Sequence, residues 1–311
     1  RGLGDVYKRQ VVNMVNQKNI KGCILLFLLA AVIIFLIWFF VAGDKKDTST
    51  PDNPPTQIYD AETMEKLNRL DNIQDQIDYF EMDYLDRYVA YKDAHPELDS
   101  KTVVIYVNAG LDYEFYTHTV ASPYLNTPYI IANKHYALGS DYVPENLVQL
   151  SSKYGTGKNN QMVQVAKDAF ESLCKAAEDQ GYTIRGISGY RSYEYQEELY
   201  NNYVLQDGKD EADTYSSRAG HSDHQTGLAI DVSDGDTPYT SFGETDEFRW
   251  MQDNAYLYGF ILRFPEGKEN ITGYQYESWH YRYVGVDIAT YIHENNITFE
   301  EYYEMFISNK K

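Results

Sequence analysis

The stretch SRAGHSDHQTGLAID, residues 217–231, holds two imidazoles and two carboxylates: His221, Asp223, His224 and Asp231. Neutral imidazole nitrogen and carboxylate oxygen are the donors that zinc takes in hydrolytic sites. His224 and Asp231 stand at an odd separation, which in one extended strand would send their side chains to opposite faces. The intervening HQTG must therefore turn or bulge if both residues are to reach one ion, and Gly227 supplies the freedom. Hydrolytic zinc takes three protein ligands and keeps a further position open. The candidate third ligand is His280 in YESWHYRYVG, residues 276–285, and Glu277 in the same segment is a candidate proton carrier beside the ion. Singly these signals are weak. Histidines in a loop are more often solvated than ligating, and a Glu beside a Trp-His pair is unremarkable.

The elements that must position these groups mix helices and strands without a regular βαβ alternation, which reads as α+β. QMVQVAKDAFESLCKAAEDQG (161–181) has the apolar spacing of an amphipathic helix ended by Gly181, and YTIRGISG (182–189) follows as a strand. SYEYQEELYNNYVLQ (192–206) and DEFRWMQDNAYLYG (246–259) read as helices. GLAIDVS (227–233), FILRF (260–264) and SWHYRYVG (278–285) read as strands, so Asp231 and His280 fall on strands. Thr298 and Glu301 form a capping-box pattern at the last helix. Upstream, residues 60–94 repeat apolar positions at helical spacing through Leu67, Leu70, Ile73, Ile77 and Phe80. TVVIYVNAG (102–110) reads as a strand. His95 and His118 are isolated, and we expect them to be structural.

Composition narrows the function classes. With 47 acidic and 27 basic residues the net charge is −20, which argues against nucleic acid as a partner. The 31 tyrosines suit wet binding grooves, although for most of them core and surface packing is the simpler reading. Cys23 and Cys174 are too few for a disulfide framework, and Cys174, on an apolar helix face, reads as a buried free thiol. Residues 23–43 carry no charge, and a helix of that length spans about 31 Å at about 1.5 Å per residue, enough to cross a bilayer. We expect an uncleaved signal anchor with the acidic C-terminal part outside the cell; cleavage is the alternative. The polar linker 44–58 reaches roughly 45 Å if extended. Residues 1–10 resemble translated adapter read-through and are set aside within the N-terminal segment 1–22, with Met14 as the expected start.

The words around the candidate ligands carry a resemblance. SGYRSYEYQ (188–196), SDHQTGLAID (222–231), NAYLYGFILRFPEGKENITGYQYESWHYRYVG (254–285) and NKHYALGSDYVPENL (133–147) resemble the VanY-type zinc D-alanyl-D-alanine carboxypeptidases, over roughly residues 125–307. The resemblance implies the fold shared with lysostaphin-like peptidases and hedgehog domains. It implies zinc held by His224, Asp231 and His280, and Glu277 as general base. It also implies Arg191 on the peptide's terminal carboxylate and polarised carbonyl, with Gln196 and Ser222 as further substrate contacts. A guanidinium fork suits a carboxylate, and a carboxypeptidase needs that anchor. Ala219, Asp223 and Ser278 depart from common family residues without touching a ligand. Asp223 is expected to be non-ligating, and His221 to lie at the rim or in solvent.

The expectation is thus a small antiparallel sheet carrying a zinc site and flanked by helices (125–311). A transmembrane helix and a helical and strand spacer (59–124) precede it. The expected substrate is a peptidoglycan stem peptide losing its C-terminal D-alanine. An L,D-carboxypeptidase or endopeptidase on the same fold, and an inactive wall-binding module, are the alternatives. No obligate protein partner is evident.

Overall fold

Short apolar runs closed off by glycines build the sheet on which the candidate ligands sit. The computed structural model describes residues 59–156 and 159–308. The anchor and linker expected at 23–58 lie outside the described residues. Among the described residues, no helix is long and apolar enough to cross a membrane. Strands β5 (Arg185–Ser188), β6 (Ala229–Ser233), β7 (Phe260–Leu262) and β8 (His280–Tyr283) form a four-stranded sheet in the order β5-β6-β8-β7. Every pairing in it is antiparallel. All five residues of β6 are buried, as befits a central strand. Two smaller strand pairs precede it. β1 (Val120–Ala121) runs parallel to β2 (Tyr136–Ala137), and β3 (Leu147–Gln149) runs antiparallel to β4 (Gln161–Val163). The mixed helix-and-sheet architecture agrees with the sequence reading.

Helices cover the sheet because their apolar stripes have nowhere else to go. Phe170, Leu173, Cys174 and Ala177 of the helix Gln164–Glu178 are buried in one cluster with Ile230 and Val232 of β6 and Tyr281 of β8. Cys174 is a free, buried thiol, as expected. A second cluster gathers Ile288, Ala289 and Ile292 of the helix Val286–Asn295 with Phe299 and Tyr303 of the helix Phe299–Phe306. The latter helix begins in the expected capping box: Thr298 Oγ1 accepts from the Glu301 amide at 3.2 Å, and Glu301 Oε2 accepts from the Thr298 amide at 2.7 Å.

The upstream region departs from expectation in two places. Residues 100–108 form a helix, not a strand. The Asp99 carboxylate caps it, accepting from the Thr102 amide at 3.0 Å, and Val103, Val104, Ile105 and Val107 are all buried. β-Branched residues lose at most about 0.7 kcal/mol each in helix propensity. Burying a Val or Ile side chain returns about 1.5–3 kcal/mol, so packing decides. The helical pattern of 60–94 is broken into Ala61–Arg69, short 3₁₀ turns and Leu85–Ala94. Asp71 and Asn72, at φ 56° and 52°, are in the left-handed region that their short polar side chains tolerate. At the other helix start, Gln161–Val163 pairs with β3 before the helix begins at Gln164.

Glu304 tests how this packing meets charge. It is buried, and its Oε1 accepts from the Tyr136 hydroxyl at 3.2 Å. Burial raises its pKa to about 7. A carboxyl raised in the folded state contributes most stability below its unfolded value near 4.3, and that contribution is lost as pH climbs through 7. Glu304→Gln is therefore expected to be more stable than the unsubstituted chain at pH 8 by about 3 kcal/mol, with the gap closing toward pH 4. Urea denaturation of both proteins across that range checks this; a gap independent of pH would refute it.

Candidate metal centre

The sheet register places the first two ligand candidates. Asp231 on β6 lies directly opposite His280 on β8, so their side chains share one face of the sheet. His224 reaches the same point from a 3₁₀ turn, Asp223–Thr226, that ends at Gly227 with φ 69°. This is the reversal that the odd spacing demanded. A side chain at Gly227 would also meet Leu147, Pro144 and Val163 at 3.0 Å.

One donor atom from each of His224, Asp231 and His280 lies within 4.8 Å of the other two, and all three residues are buried. Asp231 Oδ1 stands 3.3 Å from His224 Nε2 and 3.2 Å from His280 Nδ1. The remaining ring nitrogens settle the tautomers. His224 Nδ1 lies 2.8 Å from the Gly189 carbonyl oxygen, which can only accept, so Nδ1 carries the proton and Nε2 offers a lone pair. His280 Nε2 faces Asp223 Oδ2 at 3.4 Å and donates to it, which leaves Nδ1 as the free donor atom. Asp231 Oδ1 is buried without a hydrogen-bond partner. Two imidazole nitrogens converging on an unsatisfied carboxylate oxygen make sense around a cation. Two nitrogens and one oxygen with room for a further ligand match a catalytic zinc set.

Charges around the triad are sharply divided. Burial alone would raise the Asp231 carboxyl, but the His224 ring and Arg191 hold it well below the usual range. Burial and then Arg191 lower His224 to about 4, keeping it neutral as a metal ligand must be. His280 is raised to about 9 against the pull of burial by Asp223 and Asp231. A bound cation would displace that proton. Glu277 is buried, with Oε2 3.5 Å from His280 Nδ1, and burial raises it to about 7.

The triad opens into a cleft of about 470 Å³ lined by Arg191, Gln196, Ser222, Tyr239, Glu277 and Trp279, among others. The site residues expected from sequence therefore converge. Arg191 Nη2 donates to Asp231 Oδ2 at 2.5 Å and its Nε to Ser188 Oγ at 3.0 Å. Gln196 follows the Ser192 cap of the helix Tyr193–Asp207. Its Nε2 donates to the Ser217 carbonyl at 2.7 Å, and its Oε1 is buried without a partner.

Two residues of the opening stretch play other parts than expected. Asp223 is non-ligating in this geometry but is no bystander. The chain at 223–226 is 3₁₀ rather than extended, which turns its carboxylate onto His280 and onto the buried Arg282 and Arg263. Burial would raise this carboxyl, but Arg282, His280 and Arg263 hold it far below its ordinary value. A carboxylate on the far nitrogen of a ligating histidine fixes its tautomer and orientation. His221 is half-buried behind the cleft wall: Nδ1 lies 2.7 Å from the Asn133 carbonyl and the ring packs edge-on to Tyr116. The sequence signal for Asp223 was Arg282. It stands two residues after His280 on one strand face, where an arginine that the fold buries needs a carboxylate, but only the structure identifies that carboxylate as Asp223.

The part of the chain that carries the triad is similar to known proteins. The family profile VanY: D-alanyl-D-alanine carboxypeptidase matches residues 159–286. The solved structure of the LdcB LD-carboxypeptidase is similar at 40% identity, over 57% of this chain and 87% of that one, with a TM-score of 0.54. The chain belongs to the VanY carboxypeptidase family. VanYB solved in complex with D-Alanine-D-Alanine is similar at 32% identity, over 59% of this chain and 99% of that one, with a TM-score of 0.50. The putative carboxypeptidase YodJ of Bacillus subtilis (strain 168) is 41% identical over 180 residues, which cover 56% of this chain and 66% of that protein. The chain spans 59–66% of the length of the curated relatives it matches.

Removing the Asp223 carboxylate charge is expected to loosen His280. Asp223→Asn should weaken zinc binding by about 10–100-fold, the usual effect of losing such an orienting partner. Competition with a chromogenic chelator measures it, and unchanged affinity would separate Asp223 from the metal centre.

Proposed function

We propose that this VanY-family chain is a zinc metallocarboxypeptidase that removes the C-terminal D-alanine from peptidoglycan stem peptides. The observation that carries the reading is the convergence of His224 Nε2, Asp231 Oδ1 and His280 Nδ1 beside the Glu277 carboxyl, with the Arg191 guanidinium in the same cleft. Zinc held by the triad would supply Lewis acidity toward the scissile carbonyl and lower the pKa of water.

The protein's own groups complete the chemistry. Glu277, poised near neutrality by burial, accepts the proton of the attacking water and returns it to the departing amine. Arg191 commits Nε and Nη2 to Ser188 and Asp231 but has further N–H donors for the substrate's terminal carboxylate. That anchor favours a carboxypeptidase over an endopeptidase. Gln196 stands in the cleft wall with its Nε2 held on the Ser217 carbonyl, and Ser222 offers a hydroxyl in the same cleft. An inactive binding module would have no use for a buried, raised Glu277 beside an intact triad. The proposal extends to location: the uncharged run 23–43 anchors the chain and the linker 44–58 presents the catalytic part to the wall outside the cell.

A second reading has its own support. The 40% identity to an LD-carboxypeptidase favours cleavage of tetrapeptides, where D-alanine follows an L-centre. Incubating the protein with purified penta- and tetrapeptide muropeptides, with and without chelator, decides between them by mass. Loss of one alanine from the pentapeptide, abolished by chelator, supports D,D cleavage. Loss from the tetrapeptide alone moves the assignment to L,D, and loss from neither overturns both. Glu277→Gln is expected to keep one zinc per chain while turnover falls by about 10²–10⁴-fold. Metal analysis alongside the rate checks this, and an undiminished rate would remove Glu277 from the mechanism.

A further inference from the structure

Tyr116 lies upstream of the family-matched residues, in the loop between the helix Ser100–Asn108 and β1. Its backbone sits at φ 65°, a left-handed conformation that costs a non-glycine residue about 1–2 kcal/mol. The side chain is largely buried, and its contacts account for the strain. The Arg218 guanidinium lies over the Tyr116 ring at 3.9 Å. The hydroxyl stands 3.1 Å from that of Tyr274. His221 packs against the ring at 4.9 Å, edge-on.

These partners belong to two strips of chain that form cleft wall. The first strip, residues 213–222, presents Ser216, Ser217 and Ser222 to the cleft, and the second presents Tyr274 and Gln275. Beyond Tyr215 the first strip has no helix or strand until the 3₁₀ turn at Asp223, and the second precedes β8 without regular structure. A backbone bond from the Gln275 amide to the Thr214 carbonyl at 2.9 Å joins them. Arg218 is held in a two-point pair with Asp213 at 3.0 and 2.6 Å. Buried Lys134 donates to the Asp213 carbonyl while its ammonium lies 5.3 Å from the Tyr116 ring and 4.6 Å from that of Tyr274. The metal triad is secured differently: Asp231 and His280 sit on paired strands, and Asp223 holds His280.

We propose that Tyr116 is a positioning residue that braces the two wall strips 213–222 and 274–275 against each other. The loop that carries Tyr116, upstream of the family-matched region, thereby becomes part of the substrate-binding apparatus. The substrate half of this inference rests on the carboxypeptidase reading; the bracing half does not.

The test compares Tyr116→Ala and Tyr116→Phe in the full chain, by steady-state kinetics on the muropeptide that the unsubstituted chain cleaves, by zinc content and by hydrogen exchange. The Phe variant keeps the ring under Arg218 and removes only the hydroxyl. For Tyr116→Ala, KM is expected to rise about tenfold with kcat within about threefold and zinc content unchanged, the pattern of lost uniform binding. Tyr116→Phe should restore KM to within about threefold of the original. Amides of 213–222 and 274–277 should exchange faster in the Ala variant while those of the helix Gln164–Glu178 do not. An unchanged KM, or KM, kcat and zinc content deteriorating together, overturns the substrate role. Unchanged exchange in both strips overturns the brace. Should the unsubstituted chain cleave neither muropeptide, the carboxypeptidase reading falls and hydrogen exchange alone decides the bracing.

Discussion

Asp223 meets Arg282, Arg263 and the ring of His280 in a space that water does not reach, and the geometry of the site depends on that meeting. Desolvating each charge costs several kcal/mol, and apolar replacements of similar volume are often no less stable. Such a cluster is therefore poor evidence of stability and better evidence of constraint. Arg282 also donates to the Pro128 and Ile130 carbonyls, and Arg263 makes a two-point pair with Glu300 on the C-terminal helix. Asn133 donates to the same Glu300. One buried network thus ties the residue after β7, β8, the last helix and the loop at 128–133 to the carboxylate that meets His280.

The same low-dielectric setting separates the acids by role. Asp231, Asp223 and Glu277 are all buried, yet the first two are held ionised and the last is pushed up to about 7. The difference lies in neighbours: arginines and imidazoles face Asp231 and Asp223, whereas desolvation dominates at Glu277. Carboxylates that environment drives apart in this way take different chemical tasks. In the proposed mechanism one would complete a ligand set, one would orient a ligand, and one would be left to carry protons.

Much of this was legible beforehand, for reasons particular residues make plain. Gly227 between His224 and Asp231 announced a reversal, and strand patterns around Asp231 and His280 placed both on sheet positions. The Thr298–Glu301 cap is a purely local device and was readable as such. The helix at 100–108 was not, because a short run of Val and Ile suits a buried helix as well as a strand until its neighbours are known. The role of Asp223 was hidden for a related reason: its partners Arg282 and Arg263 are distant in the chain, and the turn that aims it is not extended.

The sequence by itself determined the donor types, the need for a turn between them and the α+β character, since these follow from side-chain chemistry and short-range periodicity. Only the tertiary structure decided which nitrogen of each histidine is free, that Asp223 serves His280, and that Tyr116 reaches the cleft wall. Each of those depends on a contact between residues far apart in the chain, where burial sets both the protonation state and the direction in which a side chain points.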